Sequence, residues 1–456
     1  MAHWFHRNPL KATLPQTFDA LRTAARSGDA NKLLTDLKLA REKFLNLLRV
    51  PEKKVEDVLE AADAYFGLLQ GLLVAVAGGK AEEPAPKPEQ PAEGDAEAAA
   101  ESAPVPAGES KLRKLLLFKW TDTLHGKEAS SSKDAQFEYV CMLFNLALWY
   151  TKHSAKLAGT ESVTLKVDEA KEVFGTLRTA AGIFQHIEQN EVHKLAQPAA
   201  KTTDFDERLL QAYSMQCLAE AQEVTLARAM ELKHKNSLVS SLSAETSKMF
   251  IVAADTLNSV DQVLVAKWQK YLTLKSVIYK AYAYSYLGLS VLEGDKCGEA
   301  IACLRESKSL AMKAAQMCKE YAKTTGPGTS AKPLEHPFFQ RLQPNVQTVL
   351  DKCERENGFI YFQKVPEEVP QLDYNATHGL VKPDQYTPTS MSAQWTAKVY
   401  DSFDAHKFPD ARVLEAAEKD KAKGGAEKKE EIPSVPEPNV STETGYAKSQ
   451  SGCVIS

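Results

Sequence analysis

The stretch Ala281-Tyr-Ala-Tyr-Ser-Tyr-Leu-Gly288, followed by Gly294, Ala300-Ile301 and Leu304, decides the reading of this chain. Small and aromatic residues recur at helical spacing on both sides of a glycine break. This is the pattern of a tetratricopeptide-type hairpin, in which small side chains let two antiparallel helices approach closely. There is one such copy, so the spacing predicts a helical-hairpin core and not a long regular solenoid. Working outward, apolar residues recur every three or four positions over 30–49, 54–77, 111–123, 133–158, 167–189, 204–234, 237–257, 262–293, 296–322 and 339–356. Gly78-Gly79, Gly294-Asp295 and Gly326-Pro327-Gly328 punctuate these runs, and Asp204 or Asp206 is placed to cap the helix that follows. Few stretches alternate as strands do. The predicted class is all-α, with a minor sheet near residues 8–20 as the one β element allowed for.

The chain has 456 residues, 43% hydrophobic and 25% charged, with a formal net charge of -4. Such a composition excludes a fibrous, wholly disordered or integral membrane protein, and it supplies no global positive field for nucleic acid. Seven cysteines without a C-x-x-C pair predict a reduced, intracellular protein. The N-terminus lacks the apolar core of a signal peptide, and Ala2 stands where myristoylation needs glycine. The most apolar run, Tyr65 to Gly78, is shorter than a bilayer crossing.

Composition changes sharply in two places. Residues 81–110 are rich in proline, alanine and acid and predict a disordered insert. From about Lys419 the chain is again polar, with Pro433, Pro436 and Pro438 preventing a helix, and predicts a flexible tether. Between them, residues 366–395 carry prolines interspersed with Leu372, Tyr374, Leu380, Tyr386 and Trp395, as an extended arm anchored to a helical body would. The predicted division is a domain over 1–398 and a tail over 399–456.

Catalytic patterns are scarce. Gly326-Pro-Gly-Thr-Ser-Ala-Lys332 lacks the ending that places a phosphate-loop lysine, and no Cys/His group has zinc spacing. Ser130-Ser-Ser-Lys133 fits S-x-x-K but reads as a polar linker before a helix, and Cys141 and Cys217 sit among apolar helix positions. Neither a metal, a cofactor nor a small-molecule substrate is expected. The last four residues differ: Cys453-Val454-Ile455-Ser456 matches the C-a-a-X box, with a terminal serine that favours a covalent farnesyl group on Cys453. A single lipid chain binds membranes reversibly, and the tail's lysines are offset by neighbouring acids, so stable residence needs a second contact.

A protein partner would supply one. In Ser237-Leu-Val-Ser-Ser-Leu-Ser-Ala244, Leu238 and Leu242 lie four apart on one helical face among small neighbours, with Val239 beside them. Arg228, Lys233, His234 and Lys235 precede them as a positive border. This predicts a shallow apolar trough for a docking helix with acidic flanks. The same spacing also fits ordinary core positions.

Six blocks resemble the Bro domain of Alix: Trp4-Phe-His-Arg-Asn-Pro-Leu10, Phe118-Lys-Trp-Thr-Asp122, Phe137-Glu-Tyr-Val-Cys-Met-Leu-Phe-Asn145, Ala181-Gly-Ile-Phe-Gln-His-Ile187, Ala219-Glu-Ala-Gln-Glu-Val224 and Phe359-Ile-Tyr-Phe-Gln-Lys-Val-Pro366. One such domain followed by a C-a-a-X box is similar to the farnesylated single-domain members of that family. The resemblance implies an elongated, boomerang-shaped helical domain that binds rather than catalyses. It implies as partners the C-terminal amphipathic helices of ESCRT-III subunits of the charged multivesicular body protein group. It places the family's patch aliphatics on Leu238 and Leu242 and its bordering lysine near Lys171. Two positions depart from the Alix pattern: Thr225 stands where Alix has an aromatic, and Val167 where it has an acid, with Asp168 adjacent. His378-Gly-Leu380 would add contact for a longer partner tail. For single-domain members the resemblance further implies a lipid-anchored adaptor in the cytoplasm and at the nuclear envelope, acting in membrane repair beside nesprin-type bridging proteins. A self-associating cytoskeletal scaffold and a cryptic thiol or serine hydrolase are the alternative readings.

Overall fold

Helices begin where the sequence offers a cap. The side chains of Ser27, Asp134, Asp206, Asp261 and Thr396 each accept a hydrogen bond from a first-turn N–H that has no partner inside its helix. The computed structural model describes residues 5–76, 108–159, 166–329, 337–374, 379–404 and 431–436. In chain order these form α1 (Asp19–Ala24), α2 (Gly28–Leu48), α3 (Val55–Leu73), β1 (Phe118–Thr121), β2 (Ala129–Ser132), α4 (Ala135–Ala158) and α5 (Val167–His186). There follow α6 (Glu207–Glu231), α7 (Asn236–Asp255), α8 (Gln262–Leu292), α9 (Cys297–Lys323), α10 (Pro337–Glu356) and α11 (Ala397–Asp401). The fold is all-α, as predicted.

The quoted stretch forms the facing sides of α8 and α9. Gly288 sits where a Cβ would lie 3.0 Å from Leu304 Cγ and 3.3 Å from the Ala300 carbonyl oxygen, and Ser307 Oγ donates across the interface to the Ala281 carbonyl at 2.7 Å. Neighbouring helices pack in sequence order, α4 on α5, α5 on α6, α6 on α7 and α7 on α8, so each buries its apolar stripe against the next. The α4 helix is buried along nearly its whole length and forms the centre of the main core.

Three expectations are corrected. The sheet is not at 8–20: β1 and β2 form an antiparallel pair running from Phe118–Ser132 to Thr121–Ala129, and the N-terminal segment adds only an isolated bridge, Thr13 to Trp120. Residues 111–123 are therefore turns and a strand, not a helix. The apolar spacing misled because Phe118, Trp120 and Thr121 are all buried, which erases strict alternation. The S-x-x-K serines consequently lie in or beside β2 and not in a linker. Asp206 caps α6, whereas Asp204 is buried, paired with Lys11 and bonded to Thr123.

The ends of the predicted segments also shift. Residues 77–107 of the insert region lie outside the described residues. Its last residues do not belong to a loose loop, because Ser110 Oγ donates to the Gly71 carbonyl at 2.8 Å and Ala75 N–H to the Gly108 carbonyl at 3.1 Å. The domain runs past 398: Val399, Tyr400 and Phe403 are buried against the core. Within the predicted tether, residues 431–436 return to the β-hairpin turn, where Ile432 is buried and its N–H donates to the Lys127 carbonyl at 3.1 Å.

Buried ion pairs lock the layers together. Glu138 on α4 accepts from Arg41 at 2.7 Å, Tyr65 at 2.8 Å and Trp120 at 2.6 Å, tying α2, α3 and β1 to one carboxylate. The N-terminal segment is held between α4 and α6 by Arg7, whose guanidinium grips both oxygens of Glu220 at 2.8 and 2.6 Å. Asn145 secures the same segment by bonding both the N–H and the carbonyl of Lys11 at 2.9 Å. Such pairs are costly to break, about 3–5 kcal/mol each, because the partner is left as a buried unpaired charge.

Candidate partner-binding site

In its described residues, 366–374 and 379–395, the predicted arm has no helix or strand and crosses the helices in reverse chain order. Leu372 packs with Ala244 and Ala283 on α7 and α8, and Val381 against Val173 and Val224 on α5 and α6. Asp384 pairs with Arg178 at 2.5 Å, Tyr386 lies 5.0 Å from the His186 ring, and Trp395 Nε1 donates to the Leu68 carbonyl at 2.7 Å on α3. Two glycines make this path possible. A Cβ at Gly182 would overlap the Asp384 carbonyl, and one at Gly71 would overlap the Trp395 indole.

The crossing between Leu372 and Val381 falls on the predicted trough. The main chain at Gly379 is bonded by the side-chain amide of Gln222, and a Cβ on Gly379 would lie 3.4 Å from Leu242 Cδ2 and 3.7 Å from Thr225 Cγ2. Leu242 and Thr225 are thus brought together, but under the arm. This corrects the expectation of an open trough: Leu242 and Val239 are buried core residues, and Thr225 is half-buried. Leu238, one turn before Leu242, is 36% exposed, and Leu380, next to Gly379, is 45% exposed. Arg228 is engaged with Glu231 at 2.7 Å, and Lys171 on α5 is exposed, 3.7 Å from Asp168. Lys171 lines a separate groove with Leu59, Tyr150 and Tyr386, away from Leu238. His378 and the box Cys453, Val454, Ile455 and Ser456 lie outside the described residues.

Sequence reasoning missed Gln222 and Gly379. The signal available was a glutamine in the middle of α6, which must find partners when buried, yet nothing local says those partners lie 157 residues away.

Beneath the site, Lys275 of α8 donates to Glu223 of α6 at 2.6 Å, both fully buried. Burial raises the Glu223 carboxyl to about 7, against the opposing pull of Lys275, and burial lowers Lys275. Burial likewise pushes the thiols of Cys303 and Cys318 up to about 12, away from nucleophilic reactivity at neutral pH. Among the described residues no group of three or more His, Cys, Asp or Glu side chains is arranged to hold a metal, and no helix is long and apolar enough to cross a membrane. The glycine-rich loop at 326–328 serves the N-terminal segment: Thr329 N–H donates to the Arg7 carbonyl at 2.8 Å.

Comparison with known proteins agrees with this architecture. The sequence pattern of the BRO1-like domain family matches residues 105–405. The BRO1 domain-containing protein BROX of Mus musculus is 46% identical over 409 residues, covering 90% of this chain and 92% of that protein. The BROX protein of Danio rerio is 42% identical over 455 residues and covers both chains fully, and the Caenorhabditis elegans BROX homolog is 37% identical over 407 residues, covering 89% and 91%. Among solved structures, an ALIX BRO1–CHMP4C complex superposes with a TM-score of 0.59 at 19% identity, covering 86% of this chain and 96% of that one. A Bro1 domain described for endosomal targeting gives 0.57 at 18%, covering 88% and 98%. From the extent and level of these likenesses, the chain belongs to the BRO1-like domain family and groups within it with the BROX proteins.

Proposed function

We propose that this chain is a non-enzymatic adaptor that binds C-terminal amphipathic helices of ESCRT-III subunits on a composite surface made by α7 and the arm. The observation that carries the reading is that Leu238, one turn before Leu242 on α7, and Leu380, next to the Gly379 that lies against Leu242, are both exposed. One helical turn, about 5.4 Å, separates Leu238 from Leu242 along α7. A partner helix with leucines at i and i+3 or i+4 would cover both exposed side chains while the arm stays in place. The fold it shares with a BRO1 domain described in complex with CHMP4C supports the choice of partner class.

The C-a-a-X box supports a farnesyl group on Cys453, which would let the adaptor sample a bilayer while the domain holds its protein partner, so that two weak contacts act together. The resemblance to single-domain relatives supports the nuclear envelope as the working site, in membrane repair beside nesprin-type bridging proteins. Titration of a labelled CHMP4C C-terminal peptide tests the reading. Leu238→Asp and Leu380→Asp should each weaken binding at least tenfold, and unchanged affinity in both would reject the surface. Loss of membrane fractionation in Cys453→Ser, with peptide affinity intact, tests the anchor separately.

A further inference from the structure

After α10 the chain forms a single π-turn, Asn357–Tyr361, and leaves it through Phe362 in the left-handed region at φ 50°. The turn holds three large apolar side chains outward: Phe359 is 79% exposed, Ile360 66% and Phe362 74%. Their neighbours Tyr361 and Val365 turn inward onto Cys297, Ile301, Leu350 and Cys353. The base of the turn is fastened firmly. Asn357 Nδ2 donates to the Gln363 carbonyl at 2.9 Å while its Oδ1 accepts from Gln363 N–H at 3.0 Å. Gln363 in turn bonds the Asp295 carbonyl at 2.6 Å and Gly298 N–H at 3.0 Å, at the α8–α9 turn. A π-turn and a non-glycine residue at positive φ are both costly, and here they keep two phenylalanines and an isoleucine in water.

We infer that this turn is a membrane wedge: Phe359, Ile360 and Phe362 insert into the interfacial region of a lipid bilayer. Phe359 and Phe362 are three residues apart, but Phe362 leaves the turn in the left-handed region, so with Ile360 they form a short cluster and not the continued helical stripe that a protein groove reads. A bilayer demands no such register. The nearby charges are mixed, Arg355 and Lys364 against Glu367 and Glu368, so insertion is apolar and not driven by charge. The chain's end points the same way. Cys453 lies seventeen residues beyond Pro436 and can stand up to about 60 Å from it when extended. A lipid there and a wedge on the domain would supply the two membrane signals that one prenyl chain lacks. This second part rests on the proposed lipidation; the wedge itself does not.

The test is flotation of the full-length protein with phosphatidylcholine vesicles, farnesylated or carrying Cys453→Ser, each with and without Phe359→Ser/Phe362→Ser. The wedge predicts that the double substitution lowers vesicle partitioning at least tenfold in both backgrounds, with little dependence on salt. Equal partitioning with and without it in both backgrounds overturns the inference. If Cys453 proves not to be modified, the Cys453→Ser arm still reports on the wedge, so the two failures are distinguishable. Ile360→Cys in the Cys453→Ser protein, labelled with an environment-sensitive dye, should shift to the blue on adding vesicles, and no shift overturns it too. Should the serine substitutions instead change only the mass seen by light scattering on dilution, the turn is a contact between copies and the inference fails.

Discussion

Gln222 treats the main chain at Val381 as a strand would. Its Oε1 accepts from Val381 N–H at 2.9 Å while its Nε2 donates to the carbonyl two residues earlier at 3.0 Å, so one side chain satisfies both groups of an extended segment. The arm therefore has a specific fastening point directly over Leu242. Gln222→Ala should cost about 1–3 kcal/mol in denaturant unfolding, because it strands polar groups beneath the arm. Gln222→Glu keeps the acceptor but sets a buried carboxylate oxygen against the Gly379 carbonyl, and should cost at least as much at neutral pH. Hydrogen exchange at Val381 reports the loosening directly.

Leu238 and Leu242 should part company on substitution. Leu238→Asp is tolerated because the side chain already meets water, and its effect appears in peptide binding. Leu242→Asp buries a carboxylate under the arm and should lower stability by several kcal/mol before any binding is measured, with Leu242→Ala costing about 2–5 kcal/mol. Thermal melts of the pair decide it; equal melting temperatures would contradict the covered position of Leu242.

Trp395 fills the space that Gly71 leaves open. Trp395→Ala should cost about 3–5 kcal/mol, and Gly71→Ala should be comparably damaging although it adds one methyl group to a helix that would otherwise welcome it. In the combined variant the added methyl enters the vacated space, so the double loss should be smaller than the sum of the single losses. Urea unfolding of the three variants checks this non-additivity.

Asp206 carries an acid-sensitive share of stability. Its bonds from the Arg208 guanidinium at 2.6 and 2.9 Å, with the N–H groups of Thr202 and Arg208, lower its carboxyl to about 2. A carboxyl held below its unfolded value near 3.8 contributes stability that is fully present above about pH 4 and is lost as the pH falls toward 2. Asp206→Asn keeps a capping side chain but loses the ion pair with Arg208, so it should remove about 1 kcal/mol at pH 7 and flatten the stability profile between pH 4 and 2. Denaturation midpoints across that range test the sign.

Much of the helical architecture was legible because apolar residues recur every three or four positions through α2 to α9, and because Asp206 and Gly294 stand at helix ends. The arm was legible too, from prolines spaced among Leu372, Tyr386 and Trp395. What escaped notice is non-local. Phe118 to Thr121 reads as helix until Ser130 and its neighbours pair with it. Leu242 reads as trough or core alike until Gly379 arrives from far along the chain. Ile432 reads as tether until Lys127 offers a carbonyl. In each case local spacing was compatible with two environments, and the choice was made by a segment distant in sequence.

The reversed path of the arm has a consequence for biogenesis. Helices leaving the ribosome can stack on one another as they appear, yet the notches at Gly182 and Gly71 stay empty until residues 384 and 395 have been made. Nascent chains halted before residue 404 should therefore be sensitive to proteases and prone to chaperone capture, and the domain should become resistant only when its last stretch closes over helices completed long before.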